Sequence, residues 1–115
     1  MAIRLDIPVD QGSDVRVPLT IVDDWKEMDL TGYTARMQCR PFAASRKVVD
    51  LLTTENGRIK IDGAVLVLHW PHEISEALAA GAYVYDLELV SGGGEVTRIL
   101  TGKVFVSKEV TQWPE

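Results

Sequence analysis

The chain has 115 residues, 46% of them hydrophobic and 25% charged, and a formal net charge of −5. These values fit one globular domain (residues 1–115) and exclude long disorder or a collagen-like chain. The acidic excess argues against a nucleic-acid partner, which needs a basic footprint.

The single cysteine, Cys39, has no partner for an internal disulfide, so the fold is expected to stand on burial, as in a reducing compartment. No apolar run approaches the roughly 20 residues of a membrane span, so no membrane partner is expected. Met1-Ala2-Ile3-Arg4-Leu5-Asp6 lacks the charged-then-apolar order of a signal peptide, so none is expected.

The dominant period is two. Ile3, Leu5 and Ile7 alternate with Arg4 and Asp6, predicting a first strand to Pro8. Asp10-Gln11-Gly12-Ser13-Asp14 is turn chemistry. Val15, Val17, Leu19 and Ile21 alternate with polar or outward residues, and Pro18 on the outward set predicts an edge strand or a bulge. A third strand places Tyr33, Ala35, Met37 and Cys39 inward and Thr34, Arg36, Gln38 and Arg40 outward, ending at Pro41. Val48 to Thr53 is a fourth. Asn56-Gly57 favours positive φ and predicts a hairpin between Leu51–Thr53 and Arg58–Ile61. Asp62-Gly63 turns the chain into Ala64–Trp70.

Pro71, with Glu73 and Glu76 near the positive end of a helix dipole, predicts a helix of two turns at most, Ile74, Ala77 and Leu78 sharing one face and Gly81 closing it. Tyr83, Tyr85, Leu87 and Leu89 alternate, Ser91-Gly92-Gly93-Gly94 turns, and Leu100, Gly102, Val104 and Val106 alternate in a last strand. Gly102 inside a strand predicts a bulge or a close backbone approach. Seven or eight short strands with one connecting helix read as an all-β sandwich.

Catalytic constellations are sparse. His69, His72 and Glu73 fall within five residues, but a closed zinc site needs a fourth ligand, so they read as a surface pair at a strand–helix corner. Asp23, Asp24, Glu27 and Asp29 surround Trp25 without the spacing of a calcium loop, which makes a solvated loop. Gly92-Gly93-Gly94 precedes a strand rather than a phosphate-cradling helix. Cys39 lies on an inward face, where a lone cysteine acts as a small hydrophobe. Tyr83 and Tyr85 could form a sugar platform, although Leu87 and Leu89 continue their face into a core. No catalytic residue, metal or cofactor is expected. Trp25, beside Asp23 and Asp24, and Trp113, beside Gln112, fall outside the strand pattern and read either as contact anchors or as lids over the open end of the sandwich.

Three stretches, Asp29 to Gln38 (Asp-Leu-Thr-Gly-Tyr-Thr-Ala-Arg-Met-Gln), Gly81 to Leu89 (Gly-Ala-Tyr-Val-Tyr-Asp-Leu-Glu-Leu) and Arg98 to Val104 (Arg-Ile-Leu-Thr-Gly-Lys-Val), resemble in order and spacing small structural proteins of tailed bacteriophages and prophages. The resemblance extends to the immunoglobulin-like N-terminal domain of phage baseplate upper proteins and runs from about Ile7 to Val110. It implies an immunoglobulin-like antiparallel sandwich without catalytic residues. It also implies a virion component, assembled in the bacterial host cytoplasm, that packs against copies of itself or other phage structural proteins of the tail, baseplate or head. The alternative is a carbohydrate-binding or capsid-decoration module on the particle surface.

Overall fold

A computed structural model describes residues 2–111. Its strands, in chain order, are β1 (Ile3–Arg4), β2 (Ile7–Asp10), β3 (Val15–Thr20), β4 (Val22–Asp23), β5 (Lys26–Glu27), β6 (Thr34–Arg40), β7 (Asp50–Thr53), β8 (Ile59–Asp62), β9 (Val65–Trp70), β10 (Gly81–Val90) and β11 (Val96–Ser107). A short helix, α1 (His72–Ser75), joins β9 to β10.

The alternating apolar positions decide the architecture. Residues two apart in a strand share a face, so each strand offers one greasy side that must find another sheet. The larger sheet runs β1–β11–β10–β6–β7, with β2 also on β11, and the smaller runs β3–β9–β8. Ala35, Met37 and Cys39 of β6, Leu52 of β7, Tyr85, Leu87 and Leu89 of β10 and Leu100, Val104 and Val106 of β11 are buried. They join Leu66, Leu68 and Trp70 of β9 and Ile59 of β8 in one core.

The topology is immunoglobulin-like: the hairpin-joined pair β10–β11, β6 and β7 form one sheet and β3, β9 and β8 the other. This is the partition of the variable-type sandwich. A tyrosine corner marks the turn into β10, where the Tyr83 hydroxyl donates to the carbonyl of Ala79 four residues upstream. The inter-sheet disulfide of antibody domains is absent, Cys39 being a free, buried thiol.

Four sequence expectations change. The first strand is two pieces, β1 and β2, both parallel to β11, so the sandwich is not wholly antiparallel. The break falls at Leu5-Asp6, where the Leu5 carbonyl accepts the Tyr85 hydroxyl at 2.6 Å and Asp6 Oδ1 accepts the Lys103 amide at 3.0 Å. Ile3 is consequently exposed rather than inward.

Asn56-Gly57 does not make a hairpin. β7 pairs with β6 and β8 pairs with β9, so the turn carries the chain from one sheet to the other. The Asn56 side chain organises that crossing, accepting the amides of Thr53 at 3.0 Å and Arg58 at 2.9 Å and donating to the Leu51 carbonyl at 3.0 Å. A side-chain-braced turn of this kind fixes a chain reversal without specifying strand pairing.

Helix α1 is a single turn, and its buried residue is Ser75, not Ala77, which is exposed. Ser75 Oγ donates to the Ser13 carbonyl at 2.7 Å and accepts the Gly12 amide at 3.1 Å. This polar tether to the β2–β3 turn is added to the expected apolar face, of which Leu78 is buried and Ile74 packs against the core. Finally, the fourth strand begins at Asp50 rather than Val48.

Other expectations stand. β3 is an edge strand with Pro18 exposed, where a missing N–H costs no ladder bond. β10 and β11 form the long hairpin, and Gly102 marks a close approach to the Leu5 backbone.

Candidate functional site

The chain between β3 and β6 extends as a two-stranded hairpin, β4–β5, with Val22 opposite Glu27 and Asp23 opposite Lys26. The two residues of its turn are Asp24 (φ 48°) and Trp25 (φ 66°). Positive φ at both central positions is what a tight hairpin of the I′ kind requires, and Asn-Gly or Asp-Gly fills them without strain. Here a tryptophan takes the glycine position. A bulky side chain in the left-handed region is strained by about 1–2 kcal/mol, and Trp25 is also 98% exposed. Asp23, Asp24, Lys26 and Glu27 are exposed around it. Trp25 is therefore a projecting knob, not a lid over the sandwich.

The hairpin is held at its base. The amide of Ile21 donates to the Ala64 carbonyl at 2.8 Å, that of Met28 to the Ile21 carbonyl at 2.9 Å, and that of Leu30 to the Gly63 carbonyl at 3.0 Å. Asp29 turns the chain back into the core by accepting the Thr31 amide at 3.0 Å and hydroxyl at 2.7 Å. These two bonds hold its carboxyl below the usual carboxylate range. The knob thus stands on an anchored loop beside the β8–β9 turn. Gln112 and Trp113, the other expected contact residues, lie outside the described residues.

A second feature lies on the outer face of the larger sheet, where twist makes a concavity of about 820 Å³. The register sets Glu88 of β10 between Arg36 and Arg98, and Val84 between Arg40 and Lys103. Asp86 and Glu88 run down the middle strand with cations on both sides. Arg36 Nε reaches Glu88 at 2.8 Å and Arg98 Nε reaches Asp86 at 3.5 Å; both pairs are substantially exposed and hold their geometry weakly. Five cations and two carboxylates line the concavity, a local positive excess on a chain of net charge −5.

The other sequence candidates separate. His69 is on the outer side of β9, away from the inward set Leu66, Leu68 and Trp70. His72 belongs to a different network, its Nδ1 3.1 Å from Asp14 and its Nε2 3.3 Å from Glu73. Among the described residues no group of three or more His, Cys, Asp or Glu residues is arranged to hold a metal ion. Burial, followed by the charge of nearby Asp50, pushes the Cys39 thiol up to about 12, so it is a protonated core atom at neutral pH. Tyr85 is buried with its hydroxyl on Leu5, and Tyr83 is spent on Ala79. Both hydroxyls are thus taken by main-chain carbonyls, and both side chains pack with the core.

The His72–Asp14 pair has a pH signature. Asp14 accepts the His72 backbone amide at 2.8 Å as well as contacting its ring. The amide bond foremost, then the ring, holds the Asp14 carboxyl below its ordinary value of 3.8. The hydrogen bond to Asp14, then the charge of Glu73, holds His72 above its ordinary 6.5. The histidine contribution to stability is full below 6.5 and is lost as pH rises through its raised folded value. The aspartate contribution is full above 3.8 and is lost as pH falls through its lowered folded value. Asp14→Asn keeps the amide acceptor and removes the charge. An NMR titration of the variant is expected to show the His72 pKa moving down; an unmoved value would show that Asp14 does not hold it.

Sequence reasoning missed one cluster altogether. Asp50, Arg58 and Trp70 are buried together. The Arg58 guanidinium forks onto Asp50 at 3.1 and 2.9 Å, and the Trp70 indole N–H donates to Asp50 Oδ2 at 2.9 Å. The signal was faint: an aspartate opening an apolar strand and an arginine straight after Asn-Gly.

No family model matches the chain, and no curated protein matches it. Among solved structures it is similar to the extracellular domain of the voltage-gated sodium channel β4 subunit, described as forming parallel homodimers with a role in cell–cell adhesion. That similarity covers 93% of both chains at 11% identity with a TM-score of 0.43.

Proposed function

We propose that this chain is a non-enzymatic structural protein of a tailed-bacteriophage particle, a tail, baseplate or adaptor component that works by docking its Trp25 hairpin onto a neighbouring protein. The observation that carries the docking role is the strained, 98% exposed Trp25 at the tip of β4–β5. Strain of this kind persists where it serves a contact, and large exposed aromatics are the commonest anchors of protein interfaces. The three stretches around Leu30-Thr31-Gly32-Tyr33, Tyr83-Val84-Tyr85-Asp86 and Leu100-Thr101-Gly102 support the virion setting. In a particle with repeated subunits, a small contact suffices, because linked sites raise effective concentration.

The test uses Trp25→Gly. Glycine relieves the positive φ, so the variant is expected to be as stable as the parent or more stable by about 1 kcal/mol. In cells producing the particle, the parent chain is expected to co-sediment with tailed particles through a density gradient. The glycine variant is expected in the unassembled fraction, depleted from particles at least tenfold. Absence of the parent from particles would overturn the virion reading, and full incorporation of the variant would overturn the hairpin's role.

A further inference from the structure

We infer that the Trp25 hairpin of one copy docks in the cationic concavity on the outer face of the larger sheet of a second copy, so that chains associate head to tail. The inference rests on the docking role just proposed for the hairpin and names its acceptor. Three observations carry it. The hairpin bears Asp23, Asp24 and Glu27 against Lys26 alone, whereas the concavity carries five cations against two carboxylates. The two surfaces are thus opposite in sign on a chain that is acidic overall. The indole also matches the acceptor chemically, since arginine guanidinium planes stack on tryptophan faces while their N–H groups remain free for carboxylates. Finally, the two features do not satisfy each other within one chain. Among the described residues no hydrogen bond or ion pair joins residues 23–26 to the concavity, and Trp25 stays exposed.

Geometry fixes the kind of assembly. Knob and concavity are different patches of one molecule, so the contact is heterologous. Each copy can give one knob and receive another, which builds a ring or an open file rather than a closed twofold pair. A hairpin tip covers less than the roughly 1,200 Å² of total area typical of a stable complex. The free protein is therefore expected to associate weakly. Because the Arg36–Glu88 and Arg98–Asp86 pairs are exposed, an incoming carboxylate can take over their guanidinium groups without uncovering a buried charge.

The experiment is sedimentation velocity of the full chain over a hundredfold range of concentration. The expected result is a mass average that rises with concentration, with association weakened at least tenfold on going from low salt to 0.5 M salt. Trp25→Gly and the pair Arg36→Glu with Arg98→Glu are each expected to sediment as monomers at all concentrations, with circular dichroism confirming that both are folded. The decisive arm mixes them. The glycine variant keeps an intact concavity and the charge-reversed variant keeps an intact knob, so the mixture is expected to form a one-to-one dimer and nothing larger. A parent that stays monomeric throughout, or a mixture that stays monomeric, overturns the head-to-tail contact. If Trp25→Gly is nevertheless lost from particles, the hairpin docks on a different protein, so the two proposals fail separately.

Discussion

Asp50→Ala is expected to lower the unfolding free energy by about 3–5 kcal/mol, the range for removing one partner of a buried ion pair. At about 4 °C per kcal/mol for a chain of this length, the melting temperature falls by about 12–20 °C. The size follows from what the aspartate holds. Its two oxygens accept both terminal nitrogens of Arg58 and the indole N–H of Trp70, and the Leu51 amide lies 3.1 Å from Oδ1. Truncation leaves a guanidinium with the His69 carbonyl at 2.7 Å and the Leu51 carbonyl at 3.4 Å as its remaining acceptors. It also leaves an indole N–H with none, in a region closed to water. The loss comes from stranding charge and donors, not from the pair's own attraction. The double variant Asp50→Ala with Arg58→Met should therefore recover about half or more of it. Urea unfolding followed by far-ultraviolet circular dichroism gives both numbers. A single-variant loss under about 1 kcal/mol, or a double variant less stable than the single, would show that the cluster carries no such weight.

The cluster matters for how this sandwich is held shut. Asp50 begins β7 in the larger sheet and Trp70 ends β9 in the smaller one, so the indole–carboxylate bond spans the sheets. Arg58, just after the crossing turn, clamps the strand that precedes the crossing to the one that follows. With no disulfide available, a polar staple joins the layers at the β7 side and apolar packing does the rest. A fully satisfied buried network also restricts how the layers can slide, which keeps the outer face of the larger sheet, and the row of charges on it, in one register.

What the sequence revealed divides along a physical line. Alternation over five or more residues names a strand and its inward face, because a buried face admits a polar residue only where a partner satisfies it; β3, β6, β10 and β11 were legible for that reason. Partners are not legible in the same way. Asn56-Gly57 states that the chain reverses, but Leu51–Thr53 is drawn to β6 and Arg58 to Asp50, and these longer-range contacts overrule the local hairpin. The helix face was legible in part, with Leu78 buried and Ile74 packed against the core, but an apolar count cannot see that Ala77 is exposed and that Ser75 is buried because it has Ser13 to bind. For the candidate site, Trp25 stood out as an aromatic among acids, whereas its strained backbone required the dihedral angles. Arg36 and Arg40 were visible as outward residues of one strand. That Arg36 faces Glu88 and Arg40 faces Val84, with Arg98 and Lys103 beyond, depends on the pairing register, which no single strand encodes.

Gly102→Ala is expected to cost about 3 kcal/mol, through a collision with main chain rather than with a side chain that can swing away. A Cβ built on Gly102 would lie 2.2 Å from the Leu5 carbonyl oxygen and 2.8 Å from its carbon, and the residue's φ of +155° is one that L side chains rarely adopt. Leu5 cannot retreat freely, because its amide donates to the Thr101 carbonyl at 2.9 Å and Asp6 beside it accepts the Lys103 amide. The same carbonyl accepts the Tyr85 hydroxyl, whose proton is held up to about 12, by burial first and the charge of Asp6 second. Pushing Leu5 outward therefore breaks a buried hydrogen bond in the core as well as the β1–β11 ladder. That shared dependence supplies a sharper test than the single loss. Tyr85→Phe removes the hydroxyl bond alone and should cost about 1 kcal/mol. In Gly102→Ala that bond is already gone, so adding Tyr85→Phe should cost almost nothing further. A double-mutant cycle by urea unfolding is expected to return a coupling of about 1 kcal/mol between the two sites. Strict additivity would mean that the Leu5 carbonyl keeps its bond to Tyr85 while making room for the methyl group, and that the close approach at Gly102 does not set the course of the first strand.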